Sequence, residues 1–448
     1  MSTLKFQPYL DYKDSGVEWL GKIPAHWEAK RLRFACVVNP GKAELSNLPV
    51  STEVSFLPMD AISEDGTLDL GQTRRLDQVW QGYTNFRDGD VIVAKITPCF
   101  ENGKGALCGD LLEGVGFGTT ELEVLRPHQN MYSPFIFYLT KSHPFRNLGI
   151  ASMKGVAGQQ RITEDFVKDF TVSIPPYPEQ QTIAVFLHRE TVKIDALVAK
   201  KERLIELLQE KRAALITRAV TKGLEPTVPM KDSGVEWLGQ VPAHWEVKRL
   251  FHLTDPAVPI VYGILLPGPR LEEGVPYIGA GDVATDRLRI DSLPRTTKET
   301  ASQYPRSRMC SGELVYAIRG SFGAVEVLPP ELDGVNLSRD AARIAPGSTI
   351  LGGWLCWALR SDTSQKQFEL NELGATITGV NIRDLKRILL PCPSSEEQAY
   401  ITTFLDHETA KLDALITKVR EGIEKLKEYR TALISAAVTG KIDVREAV

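Results

Sequence analysis

Two charged triplets, Glu28-Ala29-Lys30 and Glu246-Val247-Lys248, have the Glu-x-Lys spacing of one half of a nuclease metal site. On a strand, residues two apart project from one face, so the two charges could act together. That chemistry also needs an upstream Asp on a suitable strand, and none is evident; the flanking Trp and Pro point to a surface turn. The six cysteines, Cys36, Cys99, Cys108, Cys310, Cys356 and Cys392, form no Cys-x-x-Cys pair. They read as free thiols, not as a disulfide framework or a zinc site. His26 and His244 each precede a Trp, with no acid or thiol at ligand spacing, so a role in a turn is expected and no metal. A Gly-x-x-x-x-Gly-Lys-Ser/Thr phosphate loop and a Gly-x-Ser-x-Gly elbow are both missing; Gly16 to Lys22 has the glycine spacing, but Ile23 follows where the hydroxyl is needed. The residues therefore predict no catalytic group and no cofactor.

Pro175-Pro176-Tyr177 is similar to the Pro-Pro-Tyr of DNA adenine methylases. The preceding residue is Ile174, however, where that motif needs Asn, Asp or Ser to accept hydrogen bonds from the adenine amine. A helix start is the better reading, because proline is tolerated in a first turn and excluded from a helix interior. Charge offers more. Arg287, Arg289, Arg295, Lys298, Arg306, Arg308 and Arg319 lie within 33 residues, opposed only by Asp291, Glu299 and Glu313. Such a segment suits a phosphate backbone. The whole chain nonetheless carries a net charge of −4, which argues against coating nucleic acid by charge alone.

The elements that would position these groups come in duplicate. Lys13-Asp14-Ser15-Gly16-Val17-Glu18-Trp19-Leu20-Gly21 returns as Lys231 to Gly239 without a change, 218 residues on in a chain of 448. Two copies mean a duplicated domain pair, not a solenoid. Within each copy, short β-like runs such as Asp90–Ala94 and Glu313–Ala317 follow Gly-containing turns. Tyr132 to Phe145 and Gly353 to Phe368 read as helices in a mixed α+β domain. Each copy then closes on a helix opened by proline and Glu-Gln. Ile183, Leu187, Ile194, Leu197, Leu204, Leu208 and Leu215 fall on three- and four-residue steps, as do Ile401, Leu405, Leu412, Leu415, Val419, Leu426 and Leu433. That is a heptad seam. The expected pairing residues are Ile194, Leu197, Leu204 and Leu208 with Leu412, Leu415, Val419 and Leu426. The expected organisation is a first mixed domain at 1–174, a central spacer helix at 175–222, a second domain at 223–390 and a C-terminal spacer helix at 391–448. No run of 18 apolar residues suggests a membrane span, and no signal peptide is evident, so the cytoplasm is expected.

This order of parts resembles the DNA-specificity (S) subunit of type I restriction–modification systems. Ala94 to Ala106, Gly118-Thr119-Thr120-Glu121 and Gly158-Gln159-Gln160-Arg161 are similar to runs of the family's target-recognition domains, as are Asn336 to Asp340 and Gly379 to Ile382. The resemblance implies an α+β fold: two target-recognition domains in tandem repeat, each followed by a long helix. The helices would pair as an antiparallel coiled coil with pseudo-two-fold symmetry. It implies a subunit without catalysis, each variable domain reading one half of a split, asymmetric site in double-stranded DNA. The implied partners are two methyltransferase (modification) subunits and ATP-dependent restriction subunits, with no membrane. The alternative is a scaffold that recruits protein partners through its helices.

Arg reads guanine and Asn or Gln reads adenine through paired hydrogen bonds. The candidates for DNA contact are therefore Lys95, Thr97, Asn102, Lys104, Gln159, Gln160 and Arg161 in the first domain. In the second they are Arg287, Arg289, Arg306, Arg308, Arg319, Asn336, Arg339 and Asn381.

Overall fold

Short apolar runs and proline-opened heptads do become strands and long helices in the computed structural model. It describes residues 6–156, 158–283, 288–320, 323–369 and 379–447. The chain divides into two compact units: Met1–Glu202 with Arg420–Val448, and Arg203–Val419. Among the described residues no helix is long and apolar enough to cross a membrane.

In the first unit the repeated nonapeptide spans a hairpin, Tyr12–Asp14 against Lys22–Pro24. The Asp14 carboxylate accepts from the Gly16 amide, and Gly21 supplies a positive φ. Glu28–Arg31 then pairs antiparallel with Thr171–Ile174. Two four-stranded sheets follow. One has the strand order Cys36–Val38, Leu122–Pro127, Val91–Ala94, Gly105–Leu107 and is antiparallel throughout. The other is mixed, with Val115–Gly118 parallel to Glu53–Leu57. Val91 to Ala94 is buried on both faces, which explains its unbroken apolar run. Helices Ser133–Lys141 and His143–Ser152 cover this sheet; the sequence read them as one, but the chain breaks at Ser142, ahead of Pro144.

The second unit repeats the plan with fewer strands. Met230–Asp232 pairs with Gln240–Pro242, and Glu246–Arg249 with Leu389–Cys392. Leu314–Ala317 is central to a four-stranded sheet with Val261–Tyr262, Ala341–Ile344 and Val325–Val327. A three-stranded sheet holds Arg295–Thr296, Val275–Ile278 and Asn336–Leu337. Helices Gly352–Arg360 and Asp362–Glu369 again meet at a serine, Ser361.

The long helices run over Tyr177–Lys222 and Ser395–Val438. Each contributes one half to each unit. The Glu-Gln pair that opens each helix ties it to its own unit. Glu179 accepts from the Tyr9 hydroxyl (2.8 Å), the Trp27 indole (3.1 Å) and His26 Nε2 (2.8 Å). Gln180 accepts from the Tyr132 amide and donates to the Pro175 carbonyl. In the second unit Glu397 holds His244 and Trp245, while Gln398 binds the Leu351 amide and the Pro393 carbonyl. Both histidines therefore anchor a helix start.

Within the first unit the helix halves run antiparallel: Asp195 pairs with Arg430 at 2.9 Å, and Lys201 lies against Gly422. In the second unit Arg212 pairs with Asp413 at 3.1 Å, beside an apolar cluster of Leu208, Leu412 and Ile416. The seam steps four, then three. It comprises Leu187, Thr191, Ile194, Val198, Lys201, Ile205, Leu208, Arg212, Leu215 and Ala219 on the first helix, and the residues 218 further on along the second; all are buried or half-buried. Leu197, Leu204 and Leu415, expected on this seam, are instead 43%, 41% and 44% exposed. The leucines drew the pattern one residue off at these steps. The seam positions there are Val198, Ile205 and Ile416, and the seam also admits Thr, Lys and Arg.

Candidate nucleic-acid interface

The site forms where the central strand of each antiparallel sheet ends. In the first unit, Val91–Ala94 leads into a folded run, Lys95 to Lys104, that returns as Gly105–Leu107. Three segments meet at its base. The Lys95 amide donates to the Glu121 carbonyl, and its own carbonyl accepts from Ile162. The Thr97 amide donates to the Gln160 carbonyl, and the Gln160 amide donates back to Thr97 Oγ1. Arg161 grips the Glu121 carboxylate with two bonds of 2.8 Å, which hold that carboxyl below the usual carboxylate range. Lys95 reaches the buried Glu123 at 3.3 Å. Lys95, Thr97, Gln160 and Arg161 are thus neighbours. Asn102 and Gln159 are exposed, whereas Lys104 turns away and donates to the Met59 carbonyl.

The second unit builds the same junction from other residues. The Ile318 amide donates to the Asp340 carbonyl, and the Val380 amide to the Ile318 carbonyl. Arg319 bridges to Gly379 as Ile96 bridges to Arg161. Arg319, Arg339 and Asn381 line one cleft of about 560 Å³ with Tyr262 and Leu265. A second cleft, of about 620 Å³, shares Tyr262 and Leu265 and adds Tyr304 and Arg306. Arg289 is exposed. Arg308 is exposed too but lies against Gly334. Arg287 lies outside the described residues.

Two expectations change here. Asn336 is 3% exposed, on a strand paired with Val275–Ile278, so its amide faces the interior and not a groove. Asn381 caps the helix Ile382–Leu385, its Oδ1 accepting from the Asp384 amide at 2.9 Å. Its other face still borders the cleft.

A third cleft was not foreseen. Arg249, Arg383, Lys386 and Arg387 border it beside Ile382. The signal was the run Arg383-Asp384-Leu385-Lys386-Arg387, three bases in five residues. In the first unit Asp169 stands where Arg387 stands in the second, and it binds Arg31 and Arg33. The corresponding face is therefore partly neutralised in the first unit and basic in the second.

The two Glu-x-Lys triplets are satisfied within themselves. Glu28 pairs with Lys30 and Glu246 with Lys248 on exposed strands. Among the described residues no cluster of His, Cys, Asp and Glu could hold a metal. Burial pushes the Cys36 and Cys356 thiols up to about 12, so neither supplies thiolate at neutral pH.

Residues 82–207 match the family described as the type I restriction modification DNA specificity domain. Over 165 residues the chain is 39% identical to the type I restriction enzyme EcoEI specificity subunit of Escherichia coli. That stretch is 36% of this chain and 27% of the relative, so the chain spans about a quarter of the length of that curated protein. A putative type I restriction enzyme MjaX specificity subunit from Methanocaldococcus jannaschii is 23% identical over 95% of this chain and 96% of its own. Among solved structures, a chain from work on complex assembly and conformational transition of the type I R-M system superposes with a TM-score of 0.74. It is 19% identical and covers 94% of this chain and 99% of its own. The fold is shared with that structure, and the kinship read from the residue runs is supported.

Proposed function

We propose that this chain, a relative of the type I restriction–modification specificity subunits, is the non-catalytic subunit that selects the DNA sequence for such a complex. Each unit reads one half of a bipartite, asymmetric site. Two modification subunits then methylate adenine there, and ATP-dependent restriction subunits act on unmodified DNA, all in the cytoplasm.

One observation carries this reading. The same junction of strand end, neighbouring strand and helix cap occurs in both units, but it presents different side chains. Lys95, Thr97, Gln160 and Arg161 stand in the first, Arg319, Arg339 and Asn381 in the second. Equal geometry with unequal hydrogen-bonding groups is what reading two different half-sites requires. Tyr262, Leu265 and Leu266 add exposed apolar surface beside the second junction, suited to thymine methyl groups or sugar. The net charge of −4 fits partner subunits supplying much of the phosphate grip.

Adenine-methylation mapping of host DNA, with and without the gene for this chain, tests the reading. One bipartite mark should vanish with the gene and return on complementation. An unchanged methylome in a host whose modification subunits are expressed would refute it.

A further inference from the structure

In the first unit, two buried cations lie beneath the run that joins Ala94 to Gly105. Lys141, at the end of helix Ser133–Lys141, donates to three carbonyls: Gly103 at 2.7 Å, Glu64 at 2.8 Å and Gly105 at 2.9 Å. Arg146 donates to the Phe100 carbonyl at 3.1 Å and the Gly103 carbonyl at 3.3 Å, and lies over the Phe100 ring. Both side chains are buried, and among the described residues neither is hydrogen-bonded to a carboxylate. Their hydrogen bonds go to backbone carbonyls, those of Phe100, Gly103 and Gly105 and that of Glu64 beside them, so the run must keep its carbonyls turned inward. The outer side of the same turn carries Pro98, Glu101 and Asn102, all exposed. Gly103, at φ 81°, makes this reversal possible.

The second unit repeats the device with other residues. Arg360 ends the helix Gly352–Arg360, as Lys141 ends its counterpart. Its Nε donates to the Val325 carbonyl at 3.0 Å, and Val325 occupies the strand position of Gly105; unlike Lys141, it also pairs with a carboxylate, that of Glu326. Gln365, five residues on as Arg146 is from Lys141, lies against Gly323 and donates to its carbonyl at 3.4 Å. The side chains differ between copies, yet both reach the root of the same connection. Packing alone would not require a donor at both places.

We propose that Lys141 with Arg146, and Arg360 with Gln365, are positioning residues that set the shape of the two sequence-reading loops from behind. They touch no base themselves. This inference rests on the DNA-recognition reading only for what the loops do; the bracing is measurable without DNA.

The experiment uses the full chain and the variants K141M, K141R and R360M. Hydrogen exchange is read first. K141M should raise exchange at the Lys95–Gly105 amides by ten-fold or more, on the scale of local opening. The long-helix amides should not change. K141R, which keeps a donor, should restore most of the protection, and R360M should raise exchange at the Ile318–Gly320, Gly323 and Ala324 amides and leave the first unit unchanged. Unchanged loop exchange in K141M and R360M overturns the proposal, whatever the DNA data show. If K141M does not fold, R360M, whose side chain is a quarter exposed, decides the matter.

Binding of the assembled complex to its mapped site and to single-base variants is read second. A wrong base pair normally weakens binding on the order of ten- to hundred-fold. In K141M that penalty should collapse in the half-site read by the first unit and persist in the other. Full discrimination despite a loosened loop would overturn the role in reading. A wild-type complex with no discrimination at all would refute the DNA-recognition reading instead, leaving exchange to judge the bracing.

Discussion

The duplicated helix anchor allows a controlled comparison within one molecule. Glu179→Ala and Glu397→Ala remove the same carboxylate from equivalent positions. The surroundings differ. Glu179 is 8% exposed and accepts from Tyr9, Trp27 and His26, with Tyr9 4% and Trp27 0% exposed. Glu397 is 36% exposed and holds Trp245 and His244, with no tyrosine. A buried donor without an acceptor costs about 1–3 kcal/mol. Glu179→Ala orphans two buried donors, Tyr9 and Trp27, for a loss of about 2–6 kcal/mol. Glu397→Ala orphans only Trp245, while water can replace the carboxylate at the half-exposed His244, for about 1–3 kcal/mol. The gap of about 1–3 kcal/mol is the contribution of the Tyr9 hydroxyl. Because two units need not unfold together, the assay should be unit-resolved. Native-state hydrogen exchange of Glu28–Arg31 and Glu246–Arg249, each beside its own anchor, reads both. Adding Tyr9→Phe to Glu179→Ala should recover part of the loss. Equal destabilisation of the two units, or a greater effect in the second, would refute this reasoning.

Other outcomes follow from the same contacts. Burial opposes charge on Glu397, but hydrogen bonds from His244, Trp245 and Ser394 bring its carboxyl down to about 2. A lowered folded pKa stabilises above the ordinary carboxylate value and is lost as pH falls from there towards 2. Acid titration of exchange in the second unit should show this loss, and Glu397→Gln should flatten it. On the seam, Leu412→Ala should cost about 2–4 kcal/mol and Leu415→Ala no more than about 0.5 kcal/mol, measured by urea denaturation. Comparable effects would mean that the register is wrong. Arg306→Ala with Arg319→Ala should weaken DNA binding by the assembled complex and flatten its salt dependence by about one unit of slope per lost phosphate contact. An unchanged slope would exclude this face from phosphate contact.

Much of this fold was legible because duplication marks its own parts. The repeated nonapeptide, the proline-opened helices and the central strands Val91–Ala94 and Leu314–Ala317 all carry local signals of turn, cap and buried strand. The seam was legible as a heptad but not in phase at every step. Leucine is apolar wherever it stands, and only packing shows that Val198 and Ile416 face inward while Leu197 and Leu415 do not. The candidate site was less legible. Arginine and asparagine look alike in sequence whether they read a base, cap a helix or complete a core. Asn336 is buried by its strand, Asn381 caps a helix, and Arg161 is engaged by Glu121. Lys141 and Arg360 gave no signal at all, since a lysine or arginine closing a helix normally satisfies its own last carbonyls.

The composition of the first unit bears on how the protein is made. Its core includes Leu433, Ile434, Ala437, Val438, Ile442 and Val444, packed with Trp27, Phe186 and Leu187. Ser173 donates to the Val438 carbonyl and Lys441 to the Leu20 carbonyl. All of the second unit, Arg203–Val419, is translated between these partners. The segment that leaves the ribosome first is thus completed after the one that follows it. Domains commonly fold in order of emergence at about 5–20 residues per second, so the seat of those late side chains stays open for tens of seconds. During that interval its apolar lining is available to chaperones, and a chain cut short before Leu433 would keep it so.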